Sequence, residues 1–157
     1  GITANAQKFA LIDMEYILKN IPAYQSASNE LNQVSKQWQN EVEKLGKEAK
    51  SLYDSYQASV KTLSDAQKTK KEEEIVAKEK SAAELRRKYF GPEGELFKKR
   101  EALMQPIQDE IYEAVKAIST QKGYAVVVDR ASASSIIFAS PNIDISNEVL
   151  AKLGYSN

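Results

Sequence analysis

Ten apolar residues, Leu31, Val34, Trp38, Val42, Leu45, Ala49, Leu52, Tyr56, Val60 and Leu63, recur at steps of three or four along an otherwise polar stretch. The mean step, about 3.56 residues, falls between the 3.5 of a left-handed coiled coil and the 3.6 of a straight helix. A helix with one narrow apolar stripe cannot bury that stripe alone, so it needs a partner. Residues 23 to 90 contain no Pro and a single Gly, Gly46, and are rich in Lys, Glu, Gln, Ala, Ser and Leu. That is helix composition.

A second pattern supplies the partner. Ile75, Ala82, Leu85 and Tyr89 keep the spacing, with Lys78 filling one slot, and the stripe resumes at Phe97, Met104, Ile107, Ile111, Val115 and Ile118. Gly123 ends it, as a Gly beyond a helix C-terminus commonly does. Pro22 suits the first turn of the earlier helix, where its missing N–H costs nothing. A hairpin running from 23 to 121 puts its tip near residue 70, within 65–73, where Thr69-Lys-Lys-Glu72 reads as a capping box opening the second helix. Each arm then has roughly 45 residues and a length of about 65–70 Å at 1.5 Å per residue. Gly91-Pro92-Glu93-Gly94 interrupts the returning arm, since Pro removes a helical hydrogen bond and the flanking glycines weaken what is left. Gly91, Pro92 and Gly94 are therefore the hinge candidates, and Pro106 predicts a second, milder bend.

The two ends of the chain read differently. Lys8–Asp13 is a short strand candidate, and Tyr124–Asp129 is a stronger, β-branched one. Ser135–Ala139 is a third, predicted to form a hairpin with the second. Ser146 is expected to cap a last short helix whose buried face is Val149, Leu150 and Leu153, with Gly154 just beyond. The fold class is α+β: a long antiparallel helical hairpin, a coiled-coil arm, on a small β body. Residues 1–22 and 122–157 form the body, and 23–121 form the arm. So small a sheet is a poor monomer, and association through the strands is the natural remedy.

Composition narrows the chemistry. Basic and acidic residues number 22 each, so the formal charge is zero, which argues against a nucleic-acid binder. There is no Cys and no His, which removes disulfides, thiolate metal sites and the commonest general base. Nothing matches a phosphate-binding glycine loop, so no cofactor, metal or catalytic residue is assigned and the chain is not read as an enzyme. Asp13, Asp129 and Asp144 lie near strand ends, as turn or cap residues usually do; a shared cation is the alternative. The longest apolar run, Tyr124 to Val128, is far below the ~20 residues of a membrane-crossing helix. Ala4-Asn5-Ala6, with Gln7 after it, has the small-x-small pattern of a signal-peptidase site.

Three blocks carry a family resemblance. Phe9-Ala-Leu-Ile-Asp-Met-Glu-Tyr-Ile-Leu18 with Ile21-Pro-Ala-Tyr24, then Gly123-Tyr-Ala-Val-Val-Val-Asp129, then Asp144-Ile-Ser-Asn-Glu-Val-Leu150 resemble, in order, the N-terminal, post-arm and closing blocks of the Skp/OmpH family. Tyr89-Phe-Gly-Pro-Glu-Gly-Glu-Leu-Phe97 and Leu103-Met-Gln-Pro-Ile107 resemble a variant found among Bacteroidetes-type members. The resemblance implies a jellyfish-shaped homotrimer in the periplasm, its signal peptide removed. Three arms would enclose unfolded outer-membrane proteins and prevent their aggregation without ATP. The trimer body would then be built by Phe9, Leu11, Tyr124, Val126, Val127, Val128, Ile136 and Phe138. Client-facing arm candidates are Tyr53, Tyr56, Lys68, Lys70, Lys71, Tyr89 and Phe90; the three lysines read equally as a solvated turn.

One departure from the family stands out. Familiar members are strongly basic, whereas this chain is neutral, which speaks against membrane-surface or lipopolysaccharide contact. Residues 61–100 nevertheless hold 12 basic and 8 acidic side chains, an excess of +4, so three arms would carry about +12 toward an open end. Two other functions compete: an envelope coiled coil that binds a folded partner, as a structural or adaptor protein, and a cytosolic prefoldin-like holdase.

Overall fold

The computed structural model describes residues 8–155. The Ala4–Ala6 motif lies outside them. The elements are β1 (Lys8–Ile12), α1 (Met14–Lys19), α2 (Pro22–Ser59), α3 (Asp65–Phe90), α4 (Glu95–Lys122), β2 (Tyr124–Asp129) and α5 (Ser146–Lys152). The chain forms two compact units, one made of the residues up to Ser28 with those from Ala102 onward, the other of Asn29–Glu101.

The Asn29–Glu101 unit is the antiparallel hairpin. α2 has 38 residues, which is about 57 Å at 1.5 Å per residue. The stripe faces inward: Leu31, Val42, Ala49 and Ile75 are buried, and Val34, Trp38, Leu45, Leu52, Ala82, Leu85 and Tyr89 are half-buried. Polar links cross between the strands of the hairpin at Tyr56–Glu72, Glu48–Lys78, Glu41–Tyr89 and Glu30–Lys99. Each pair is centred within about a residue of Ser64, so one register holds on both sides of the 91–94 break. Phe97 departs from the stripe and is exposed.

The turn lies earlier than the sequence suggested. α2 ends at Ser59, a 3₁₀ turn spans Val60–Thr62, and Ser64 caps α3. Ser64 Oγ accepts from the Gln67 N–H at 3.2 Å, and Gln67 Oε1 accepts from the Ser64 N–H at 2.9 Å. This reciprocal box displaces the Thr69–Glu72 one, and Thr69 lies inside the helix with its hydroxyl donating to the Asp65 carbonyl at 3.1 Å. Ser-x-x-Gln serves as well as Thr-x-x-Glu, and starting at Ser64 gives α3 a further turn of backbone bonds.

The other unit is built around two parallel strands. β1 pairs with β2, Phe9 opposite Val126 through Ile12 opposite Asp129. On its other edge β1 makes a single bridge to Asp144, with the Ile145 N–H donating to the Leu11 carbonyl at 2.8 Å. Ile17, Ile111, Ile145 and Val149 are fully buried there, packed with Ala10, Ile12, Ala114 and Leu150. α4 runs unbroken through Pro106, and Gly123 follows at φ +75°, a left-handed geometry that suits Gly.

Two expectations for this unit are corrected. Ser135–Ala139 is not a strand, so it makes no hairpin with β2, and among the described residues the sheet has two strands. The chain turns at once after β2 because Asp129 Oδ1 accepts from the Ala131 N–H at 3.0 Å and successive turns follow through Ala133. Ser146 is the first residue of α5 rather than its cap: its Oγ accepts from the Asp13 N–H at 2.8 Å, while its own N–H donates to Asp144 Oδ1 at 2.9 Å. Val149 and Leu150 are buried and Leu153 half-buried, as the periodicity suggested.

Candidate functional site

Both flanks of the hairpin carry long open grooves. One, of about 740 Å³, is lined by charged and hydroxyl residues including Lys44, Lys47, Glu48, Ser51 and Lys78. The other, of about 660 Å³, runs over Gly46, Ala49, Tyr53, Ala82, Ala83 and Arg86. The small residues Gly46, Ala49, Ala82 and Ala83 leave this trough open, and Tyr53, 46% exposed, lines it. An open trough with mixed walls suits an extended chain better than a small molecule, which is normally enclosed.

The other arm candidates are held within the hairpin to different degrees. Tyr56 is half-buried and its hydroxyl donates to Glu72, which pushes its pKa up. Tyr89 stacks on Trp38 and donates to Glu41, and that hydrogen bond likewise raises its pKa. Phe90 is half-buried beside Gln39, Val42, Glu43 and Arg86. Glu48 accepts from Lys78 at 2.8 Å, a hydrogen bond and attraction that hold its carboxyl below its ordinary range. Lys68 is half-buried, Lys70 exposed, and Lys71 pairs loosely with Glu74 at 3.9 Å. These three lysines occupy the first turns of α3, beside the hairpin turn.

The charge excess does not sit at that turn. Residues 61–85 hold six basic and six acidic side chains, and residues 86–100 hold six and two. The facing segment of α2, residues 43–60, is also balanced at three and three. The whole +4 therefore lies at Arg86, Arg87, Lys88, Lys98, Lys99 and Arg100, around the Gly91–Gly94 break rather than at the tip.

In the other unit, the strand-end aspartates serve the backbone. Asp13 accepts from the Tyr16 N–H at 3.2 Å, Asp129 from the Met14 N–H at 3.1 Å, and Asp144 from the Ser146 N–H. Lys122 donates to Glu148 at 2.7 Å, linking the end of α4 to α5 and raising the Lys122 pKa. Among the body candidates, Leu11 is buried in its own unit, while Tyr124, Val127, Val128 and Ile136 are half-buried. Phe9, Val126 and Phe138 are exposed at 55%, 45% and 83%. Sequence reading passed over Ile137, fully exposed, and Tyr112, also exposed. Tyr112 lies one position off the α4 stripe, and nothing in the Ser135–Ala139 run singles out Ile137 from its apolar neighbours. Among the described residues no helix is long and apolar enough to cross a membrane, and no cluster of acidic residues could hold a metal ion.

A long helical hairpin carried with a small parallel-sheet unit defines a class of arm-bearing α+β proteins. The family described as outer membrane protein (OmpH-like) matches residues 8–153, and the chain belongs to that family. It is similar to the chaperone protein Skp of Photorhabdus luminescens, 23% identical over 94% of this chain and 86% of that one. Skp of Yersinia enterocolitica is 22% identical over 96% and 88%. The crystal structure of an OmpH-like outer membrane chaperone from Caulobacter crescentus superposes with a TM-score of 0.73 at 12% identity, over 96% of this chain and 86% of that one. That likeness supports the fold.

Proposed function

We propose that this chain is an ATP-independent holdase chaperone of the periplasm, which binds unfolded outer-membrane proteins and prevents their aggregation. Membership of the OmpH-like family, with Skp chaperones among its relatives, is the observation that carries this reading. Open grooves along the hairpin agree with it, because a holdase needs many weak contacts with an extended chain and no enclosed reaction site. Tyr53 is the leading client contact, and Tyr56, Phe90 and the basic residues around 86–100 support it. Self-association into a homotrimer through the body would set three arms around one client. The break at Gly91, Pro92 and Gly94 would act as the arm's joint.

The test is light scattering of a urea-unfolded outer-membrane protein diluted into buffer with and without this protein. Suppression at near-stoichiometric ratios is expected. Unchanged aggregation would favour the adaptor reading, in which the arms bind a folded partner.

A further inference from the structure

The polar links across the hairpin are not shared evenly between its two flanks. Away from the turn they start from Glu30, Glu41 and Glu48 of α2, which recur on one face of that helix. The opposite flank of α2 presents Ser35, Gln39, Gly46 and Tyr53, with no charge among them. Beside it α3 presents Val76, Glu79, Ala83, Arg86 and Phe90, at steps of three and four. Among the described residues no ion pair or hydrogen bond joins these two rows.

A continuous trough runs along this unlinked flank. The cavity over Gly46, Tyr53 and Ala83 passes into a smaller one, of about 280 Å³, beside Gln39 and Phe90, and the two share Val42, Glu43 and Arg86. Large apolar side chains stand at both ends. Tyr53 and Val76, at one level in the register, are 46% and 61% exposed toward the turn, and Phe90 is half-buried at the far end. Between them the walls carry Glu43, Glu79, Lys50 and Arg86, all exposed and without an ion-pair partner among the described residues. Apolar side chains left in solvent along a face that makes no link of its own mark an interaction surface.

We propose that this flank binds one extended segment of an unfolded client, laid along the hairpin with two large apolar side chains about six residues apart. The proposal rests on the holdase reading above and names what that site selects. From Gln39, beside Phe90, to Tyr53 the helix rises about 21 Å at 1.5 Å per residue. An extended chain covers that distance in about six residues at 3.3 Å each, and side chains at i and i+6 point the same way because a strand alternates. A helical segment would bring a backbone already paired with itself. An extended one brings N–H and C=O groups that need partners, and the trough offers carboxylates to the first and the Lys50 and Arg86 cations to the second. These two acids and two bases balance, so the stretch between the anchors is uncharged. Membrane-spanning strands of β-barrels carry apolar residues at alternate positions, so they present such a pair in many registers. The site would read a period rather than a particular sequence.

Two labelled decapeptides of one composition test this, both Thr-rich and uncharged, with Phe at i and i+6 in the first and at i and i+3 in the second. Fluorescence anisotropy with the full chain should show the first binding about tenfold more tightly. Gly46→Leu sends a side chain into the trough from a helical position where a Cβ meets nothing within 4 Å, so helicity should be kept or raised. It should weaken the first peptide about tenfold, and Tyr53→Ser, at an exposed position, should do the same. Neither change should alter the weaker binding of the second peptide. Equal binding of the two peptides, or wild-type affinity for the first in either variant, overturns the proposal. If the wild type then still suppresses aggregation, the holdase reading stands and clients are held elsewhere. Spacing-selective binding by a protein that leaves aggregation unchanged keeps the site and removes the holdase reading.

Discussion

Tyr89 lies flat on Trp38, with ring centroids 4.6 Å apart and planes 3° from parallel, and its hydroxyl reaches back to Glu41 on the same helix as Trp38. One residue of α3 thus grips α2 twice, by a face and by a proton. The grip fixes both the spacing and the register of the two helices near the C-terminal end of α3.

Trp38→Ala should therefore loosen the hairpin. Removing a half-buried indole, and with it the stacking contact to Tyr89, costs roughly 2–3 kcal/mol, less than a fully buried aromatic would. Thermal unfolding followed by circular dichroism should show the loss. Because Trp38 is the single tryptophan, wild-type fluorescence reports this contact directly. Tyr89→Phe should keep the stack and lose only the Glu41 link, so it should fall between the two.

Acid should weaken the hairpin. The Glu48 carboxyl is held below its ordinary value of 4.5 by Lys78, so the stability it adds is present above about pH 4.5 and lost as pH falls through the lowered value. Tyr89 has the opposite sense: its pKa is raised above 10, so its contribution is complete below about pH 10 and disappears as pH rises further. Trp38 fluorescence against pH is the measurement. In Lys78→Gln the acid-side dependence should flatten and the alkaline side should not change.

Two glycines should respond oppositely to alanine. At Gly46 a Cβ meets nothing within 4 Å inside a regular helix, so Gly46→Ala should stabilise by about 0.5–1 kcal/mol. At Gly94 a Cβ would come 2.8 Å from the Lys88 carbonyl and 2.9 Å from that of Tyr89. Gly94→Ala must shift backbone, and it should destabilise by about 1–3 kcal/mol. Denaturant titration of the two variants separates the cases.

Charge around the break should govern client capture more than charge at the turn. Exposed charges act over about 8–10 Å at physiological salt, so their main effect is on encounter rate. Changing Arg86, Arg87 and Arg100 to Gln should slow association with an acidic unfolded client and flatten its salt dependence. Changing Lys68, Lys70 and Lys71 should do less, because residues 61–85 are balanced. Stopped-flow mixing with a labelled client measures both. Equal slowing by the two sets would place the steering field elsewhere.

The arm was legible because its signal is local and repeated. Every stripe position from Leu31 to Tyr56 is buried or half-buried, and a 3.6-residue period needs no knowledge of distant contacts to be seen. The turn was misplaced because two capping boxes, Ser64–Gln67 and Thr69–Glu72, stand five residues apart, and only the pairing register chooses between them. The small sheet was harder. Tyr124–Asp129 announced itself as a strand, but its parallel partner lies at the other end of the chain, and Ser135–Ala139 has strand composition without strand pairing. Ser146 shows the same limit at one residue: its hydroxyl serves Asp13, a neighbour in space that local sequence does not reveal.

The parallel pairing of Lys8–Ile12 with Tyr124–Asp129 also sets an order of events. The contacts of the hairpin close across a nearby turn, whereas the two strands meet only after a loop of on the order of a hundred residues has been drawn in, a slow step in folding. A newly made chain is therefore expected to form its arm before its sheet. The surface proposed to recruit neighbouring copies comes into being last, once the arm it will carry is already formed.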